Sequence, residues 1–160
     1  MSRVVYRVEH PATNRGPYNP GWMIDCGLSM PEQIRIETIR DTIHRLHEDD
    51  PKSHPEPSCF KRGVLDPGLV CGFISRKAYE DWFNDWCRMR LAEAGYELLT
   101  YIADDGDDEP WSDHTGQTVF QKQNARVVDR EPCARLELEL TPLDDVETKV
   151  WLDFFVDDKV

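Results

Sequence analysis

The segment from residue 69 to residue 103 constrains the fold most strongly, because it places a helical pattern between two short apolar runs. The runs LVCGFI (69–74) and YELLTYIA (96–103) have the length and composition of β-strands. The helix predicted at 76–94 carries a wide aromatic face, formed by Tyr79, Trp82, Phe83, Trp86 and Met89 or Arg90. Ser75 is suited to cap this helix and Gly95 to end it. We therefore expect the helix to anchor the core.

The remaining patterns add one helix and several strands. Residues 3–10 predict a strand, and a helix with an apolar stripe is predicted from Pro31 to near His47. Three strand patterns follow YELLTYIA: QTVFQK (117–122), ARLELELT (134–141) and KVWLDFFV (149–156). Residues 123–130, between the first two of them, are expected to be extended or to turn. This order predicts an α+β fold, a mainly antiparallel sheet of five to six strands packed with two helices.

The length of 160 residues predicts one domain, residues 1–160, with two conspicuous loops. The segment 48–68 contains four prolines and two glycines and is longer than most connections. The segment 104–116 contains six carboxylates and neither lysine nor arginine. An acidic hairpin at 129–160, with strand 149–156 pairing on strand 134–141, is expected to close the domain. The last strand is apolar on both faces, which suits either burial or a homodimer interface.

Negative charge is concentrated in the last third of the chain. The formal net charge is −12, of which −10 falls on residues 104–160, where 16 acidic residues oppose 6 basic ones. Such a field repels nucleic acid and anionic lipid, so neither is an expected direct partner. It attracts a basic protein surface, although solubility alone would also explain it. The residues that suit such a contact are Asp104, Asp105, Asp107, Asp108 and Glu109 in the acidic loop, with Glu137 and Glu139 on strand 134–141.

Other sequence features favour a reduced, cytoplasmic location. No apolar run approaches the ~18 residues of a membrane span, and the first residues lack the apolar core of a secretory signal. The five cysteines are scattered, odd in number and without a CxxC pair. This pattern argues against a disulfide framework or a zinc site.

Motifs for metal or nucleophilic chemistry are incomplete. Aligning Gly106 with the invariant glycine of a calcium loop puts Tyr101 and Ala103 where acidic ligands belong. A looser divalent-ion site in the acidic loop is a minor alternative. His44 and His47 lie three residues apart, but no third ligand is evident nearby. There is no GxSxG motif and no phosphate-binding glycine loop, so we predict neither a metal nor a complete catalytic set.

The first strand carries charged residues in an alternating pattern. Arg7 and Glu9 share one face of the strand, while Val8 and His10 share the other. The simplest interpretation is an Arg7–Glu9 pair on a solvated face and a histidine at the end of a strand.

Four motifs together resemble a set of small uncharacterised proteins of bacteriophages and related mobile elements. These motifs are YRVEH followed by GPY, then CGFISRKAYEDWF, then AGYELLTYIA, and finally GQTVF, and they cover roughly residues 4–128. The resemblance implies a phage origin and assigns no activity. A role in a bacterial host cell would follow from it.

A weaker resemblance connects the chain with ADP-ribosyltransferase folds. In that family an Arg or His on the first strand contacts NAD, a Ser or Tyr follows, and a late Glu orients the ribose. Here the order is occupied by Arg7 or His10, Tyr18 or Ser75, and Gln117. Because Gln117 is not a carboxylate, the resemblance implies that NAD could bind but does not support transfer of its ADP-ribose.

Phage origin and acidic charge together favour a binding protein over an enzyme. The first hypothesis is a counter-defence inhibitor, anti-CRISPR-like, that occludes a basic nucleic-acid-processing protein of the host, such as a CRISPR-Cas or other defence component. It requires no cofactor. The alternatives are an NAD-dependent ADP-ribosyltransferase-like enzyme and a structural or assembly protein of the phage.

Overall fold

A computed structural model describes residues 1–18, 27–56 and 68–135. Within these ranges five strands form one antiparallel sheet, in the order β4-β2-β1-β3-β5. The strands are β1 (Ser2–Glu9), β2 (Leu69–Phe73), β3 (Glu97–Asp104), β4 (Gln117–Gln121) and β5 (Ala125–Pro132). The predicted α+β class and antiparallel sheet are confirmed. Residues 123–130 were expected either to be extended or to turn, and most of them lie in β5.

Three helices accompany the sheet in the described residues: α1 (Met30–Glu48), α2 (Arg76–Trp82) and α3 (Asp85–Glu93). Helix α1 begins one residue before Pro31, and Ser29 caps it. The Ser29 hydroxyl accepts a hydrogen bond from the Glu32 amide, while the Glu32 carboxylate accepts one from the Ser29 amide at 3.0 Å. This reciprocal capping box satisfies two backbone donors that no helical carbonyl could reach. No helix in the described ranges has both the length and the apolar character that crossing a membrane requires.

The helix predicted at 76–94 is divided in two. Phe83 adopts an extended backbone, and Asn84 starts α3 by accepting the Cys87 amide on its side chain at 2.9 Å. Arg88 then bridges the break, donating to the Phe83 carbonyl at 2.7 Å. Because of this break, the side chains of α3 do not continue the face that α2 presents to the core. The predicted single aromatic face over 76–94 was therefore wrong in its second half.

Tyr79, Trp82 and Phe83 are buried as expected, whereas Trp86 and Met89 are 44% and 46% exposed. Leu91, on α3, takes the inward position instead. The predicted stop at Gly95 is confirmed: its φ is +89°, and the Tyr96 amide donates to the Leu91 carbonyl at 2.9 Å. This pattern is the one in which glycine ends a helix.

The sheet is strongly curved. Strands β4 and β5 lie at its opposite edges, yet only the 3₁₀ turn Lys122–Asn124 joins them. The two edges must therefore approach each other at that end, and β3 also contacts β4. The concave face encloses a small core of Val5, Leu99, Tyr101, Ala103 and Phe120.

The convex face packs against the helices. Its strand residues Val8, Phe73 and Leu98 belong to the main core, together with Ile36 and Ile43 of α1, Tyr79, Trp82 and Phe83 around α2, and Leu91 of α3. The sheet thus has a core on each face, the main core on the convex face and the small core on the concave face. Successive side chains along a strand point alternately into these two cores.

Several sequence predictions fall outside the described residues. Strand β5 ends at Pro132, and Ala134 and Arg135 are not in a strand. The rest of the segment 134–141, the strand at 149–156, their pairing, and Glu137 and Glu139 lie beyond residue 135. Part of the Pro-rich loop, residues 57–67, also lies outside the described ranges.

Candidate functional site

The acidic loop, residues 104–116, connects β3 to β4 and is tied to β1 by an arginine. The Arg3 guanidinium binds both carboxylate oxygens of Asp105, one of them at 3.1 Å. It also donates to the Thr118 hydroxyl and to the Val119 carbonyl, both at 2.7 Å. Because a planar guanidinium forms several directed bonds at once, Arg3 fixes the start of the loop against β4.

The amino terminus supports the same end of the loop. The Met1 ammonium donates to the Gly106 carbonyl at 3.1 Å and lies 3.4 Å from a carboxylate oxygen of Asp104. The Gly106 amide also donates to that carboxylate, at 2.9 Å. This amide, with the ammonium as second cause, lowers the pKa of Asp104 from its ordinary value. Asp104 and Asp105 are therefore engaged in holding the loop in place.

Asp107, Asp108 and Glu109 differ from these two. All three are exposed, and their carboxylates form no ion pair within the described ranges 1–18, 27–56 and 68–135. They line a groove of about 660 Å³ between the loop and residues 1–3. Of the five predicted partner-binding residues that lie within the described part of the chain, these three present unneutralised charge to solvent.

The second half of the loop is held by the strand that follows it. The Thr118 hydroxyl donates to the Trp111 carbonyl, and the Asp113 amide donates to the Gln117 carbonyl at 3.0 Å. The Asp113 carboxylate accepts from the backbone amides of Thr115 and Gln117, at 2.9 and 3.1 Å. The loop is thus anchored at both ends, with the three free carboxylates between the anchors.

The charged residues of β1 form a buried network on the concave face. One oxygen of Glu9 accepts from Arg7 at 2.8 Å, from the Tyr101 hydroxyl at 2.8 Å and from Lys122 at 2.9 Å. The contact between Arg7 and Glu9 was predicted correctly. The prediction that this pair faces solvent was wrong, because the Glu9 side chain is 3% exposed. Curvature of the sheet encloses it. Burial, followed by the bond to Glu9, raises the pKa of Tyr101.

His10 is a structural residue in this arrangement. Its Nε2 lies 3.0 Å from the Ala94 carbonyl, and its Nδ1 accepts the Ala12 amide at 3.1 Å. These partners suit the neutral ring with its proton on Nε2. Burial lowers the pKa of His10, in agreement with that assignment.

The residues of the NAD hypothesis do not share one cleft. Arg7 enters the concave face, whereas Gln117, which the register aligns with Phe73 and Tyr6, lies on the convex face. Gln117 is buried and donates to the Pro55 carbonyl at 3.1 Å. Tyr18 contacts α1 and α2, and Ser75 caps α2 by accepting the Ala78 amide at 3.0 Å. The sheet separates Arg7 from Gln117.

A cluster of Tyr18, His47, His54 and Trp82, here called the histidine cluster, was missed by sequence reasoning. The Trp82 indole donates to the Tyr18 hydroxyl at 2.7 Å, and that hydroxyl hydrogen-bonds to Nδ1 of His47. The rings of His47 and His54 stack with centroids 3.8 Å apart and an angle of 9°. Burial, then proximity to His54 and His44, lowers the pKa of His47 to about 3.

The histidine cluster borders a pocket of about 310 Å³ that Asp50, Asp81 and Asn84 also line. In the described ranges, no group of three or more His, Cys, Asp or Glu side chains could hold a metal ion. The spacing of His44 and His47 was the available signal for this region. It did not reveal His54, because the sequence does not show that the Pro-rich loop folds back onto α1.

Comparisons with known proteins place the chain in a phage family. The family model described as bacteriophage T4 Y00F protein matches residues 1–134. No curated protein and no solved structure matched the chain. The match covers β1 to β5, all three described helices and the acidic loop. The chain therefore belongs to the bacteriophage T4 Y00F protein family.

Proposed function

We propose that the protein is a phage counter-defence inhibitor, anti-CRISPR-like in its action, that binds a basic nucleic-acid-processing protein of the host and occludes it. The observation that carries the proposal is the acidic loop, where Asp107, Asp108 and Glu109 are exposed and unpaired between two anchored ends. A phage protein meets the defence proteins of its host directly, and those proteins present basic grooves to nucleic acid.

The acidic loop is anchored at both ends, and an anchored loop is better suited to bind a partner than a free acidic tail. Arg3 and the amino terminus fix its start, and Thr118 and Gln117 fix its end. A loop ordered before the encounter loses less conformational entropy on association. Exposed carboxylates then raise the rate of encounter with a basic surface, and the body of the protein blocks access of nucleic acid.

The test is capture of host proteins from bacterial lysate on the immobilised full chain, with washes of rising salt. The loop variant Asp107→Asn/Asp108→Asn/Glu109→Gln removes the three free charges. The matched control Glu37→Gln/Asp41→Asn/Asp129→Asn removes three charges from α1 and β5. We expect a nucleic-acid-processing protein to be captured by the wild type and the control, and to be lost from the loop variant at moderate salt.

Equal capture by the loop variant and the wild type would refute the assignment of the loop. Capture of proteins that do not act on nucleic acid would refute the class of partner. Circular dichroism of both variants checks that each remains folded, so that a loss of capture can be attributed to charge.

A further inference from the structure

We infer that His54 is a positioning residue for the acidic loop: it fastens residues 50–56 to the helices, and this segment in turn holds residues 113–117. The inference concerns the isolated protein. Only its consequence for partner binding rests on the proposed function.

The attachment of His54 to the helices is made on several sides of one ring. Its Nε2 lies 2.8 Å from the Trp82 carbonyl, and its Nδ1 lies 3.2 Å from the Asp50 carbonyl. The ring stacks on His47 and meets the edge of the Trp82 ring, with centroids 4.8 Å apart. These contacts fix the direction in which the backbone on either side of His54 runs.

Both flanks of His54 supply carbonyls to the acidic loop region. The Pro55 carbonyl accepts the Gln117 side-chain amide at 3.1 Å, and the Lys52 carbonyl lies 3.4 Å from Nε2 of His114. The Gln117 amide also lies 3.4 Å from a carboxylate oxygen of Asp113. The buried Gln117 thus connects the segment of His54 to the turn that ends the loop.

The two ends of the acidic loop are therefore held by different means. Arg3 and the Met1 ammonium hold residues 104–106 without any contact to His54. Residues 113–117 are held by β4 and also by the Gln117 side chain, whose partner Pro55 follows His54 directly in the chain. Loss of the His54 ring should loosen the second end and leave the first end in place.

Hydrogen exchange of the full chain, without any partner, tests this inference. In His54→Ala, protection of the amides of Asp113, Gly116 and Gln117 is expected to fall about tenfold relative to β1 and β3, the scale of one lost hydrogen bond. Val8→Ala, a core change on β1 outside the cluster, serves as the control and should not lower these amides selectively. Unchanged protection at 113–117 in His54→Ala, or an equal loss throughout the sheet, would overturn the inference.

A double-mutant cycle separates positioning from general destabilisation. If His54 acts through Gln117, the double variant His54→Ala/Gln117→Ala should lose about tenfold protection at Asp113 and Gly116, as either single variant does, and not about a hundredfold. A loss of about a hundredfold in the double variant, the product of the two single losses, would show that His54 does not act through Gln117.

The consequence for function is measured with a decalysine peptide as the probe. Weaker binding by His54→Ala and by the loop variant supports both proposals. Loss of protection at 113–117 with decalysine binding equal for wild type and loop variant would leave the positioning role standing and refute the proposed function.

Discussion

Acidification from pH 6.5 to pH 5 is expected to lower the free energy of unfolding by about 2 kcal/mol through His47. His47 is 7% exposed, and its Nδ1 hydrogen-bonds to the Tyr18 hydroxyl inside the histidine cluster. Its pKa is about 3 in the folded protein, because of burial and the neighbouring His54 and His44. An unfolded histidine has a pKa of about 6.5.

The sign follows from proton uptake. Between about pH 6.5 and pH 3 the unfolded chain binds a proton at His47 and the folded protein does not. The stability linked to His47 is therefore complete above the unfolded pKa and is lost as the pH falls towards the folded pKa. The slope is about 0.7 kcal/mol per pH unit at pH 6.5, where the unfolded histidine is half protonated, and approaches about 1.4 kcal/mol per pH unit as the pH falls, which gives between about 1.5 and 2 kcal/mol over the 1.5 units considered.

The assay is urea unfolding of the wild type and His47→Gln at pH 6.5, 6.0, 5.5 and 5.0. Gln keeps a hydrogen-bond acceptor for Tyr18 but does not titrate. His10, whose pKa is also lowered, acts equally in both proteins and cancels from the difference. We expect the stability of His47→Gln to fall with a slope shallower by about 1 kcal/mol per pH unit. Parallel slopes would refute the reasoning.

Two further changes test the concave face. Glu9→Ala removes the carboxylate shared by Arg7, Tyr101 and Lys122. Because Arg7 would remain buried without its counter-ion, the free energy of unfolding in urea should fall by about 3 kcal/mol. A loss below about 1 kcal/mol would show that the network is effectively solvated. Gly72→Ala places a methyl group 2.8 Å from the Tyr6 carbonyl and against Val5. Calorimetry should therefore show a melting temperature lower by several degrees, which corresponds to a loss of stability on the order of 2 kcal/mol. An unchanged melting temperature would contradict the close approach of β1 and β2.

Local patterns predicted most elements of the fold. Alternation identified β1, a short apolar run identified β3, and periodicity together with Pro31 and Gly95 located the start of α1 and the end of α3. The division at Phe83 was not predictable, because residues 76–94 are a continuous helical pattern and the break depends on Arg88 and Asn84 capping it from both sides.

Burial was harder to predict than pairing. Alternation placed Arg7 and Glu9 on one face of β1, and the structure confirms their contact at 2.8 Å. It could not show that this face is enclosed, since the curvature arises from a turn that joins the two edges of the sheet more than 100 residues further along the chain.

The candidate site was located by composition but not explained by it. Runs of aspartate identified the acidic loop, yet its anchors Arg3 and Met1 lie about 100 residues away in sequence. The histidine cluster likewise assembles Tyr18, His47 and Trp82 from separate segments. Contacts of this kind are set by tertiary packing, which a single sequence does not display.

The most direct test of the acidic loop is displacement of nucleic acid from the captured host protein. Fluorescence anisotropy of labelled DNA on that protein is followed while the wild type, the loop variant of Asp107, Asp108 and Glu109, or the control variant of Glu37, Asp41 and Asp129 is added. We predict displacement by the wild type and the control, with at least about tenfold weaker displacement by the loop variant and a strong decline with salt for the wild type. Displacement by the loop variant at wild-type concentrations would contradict the account.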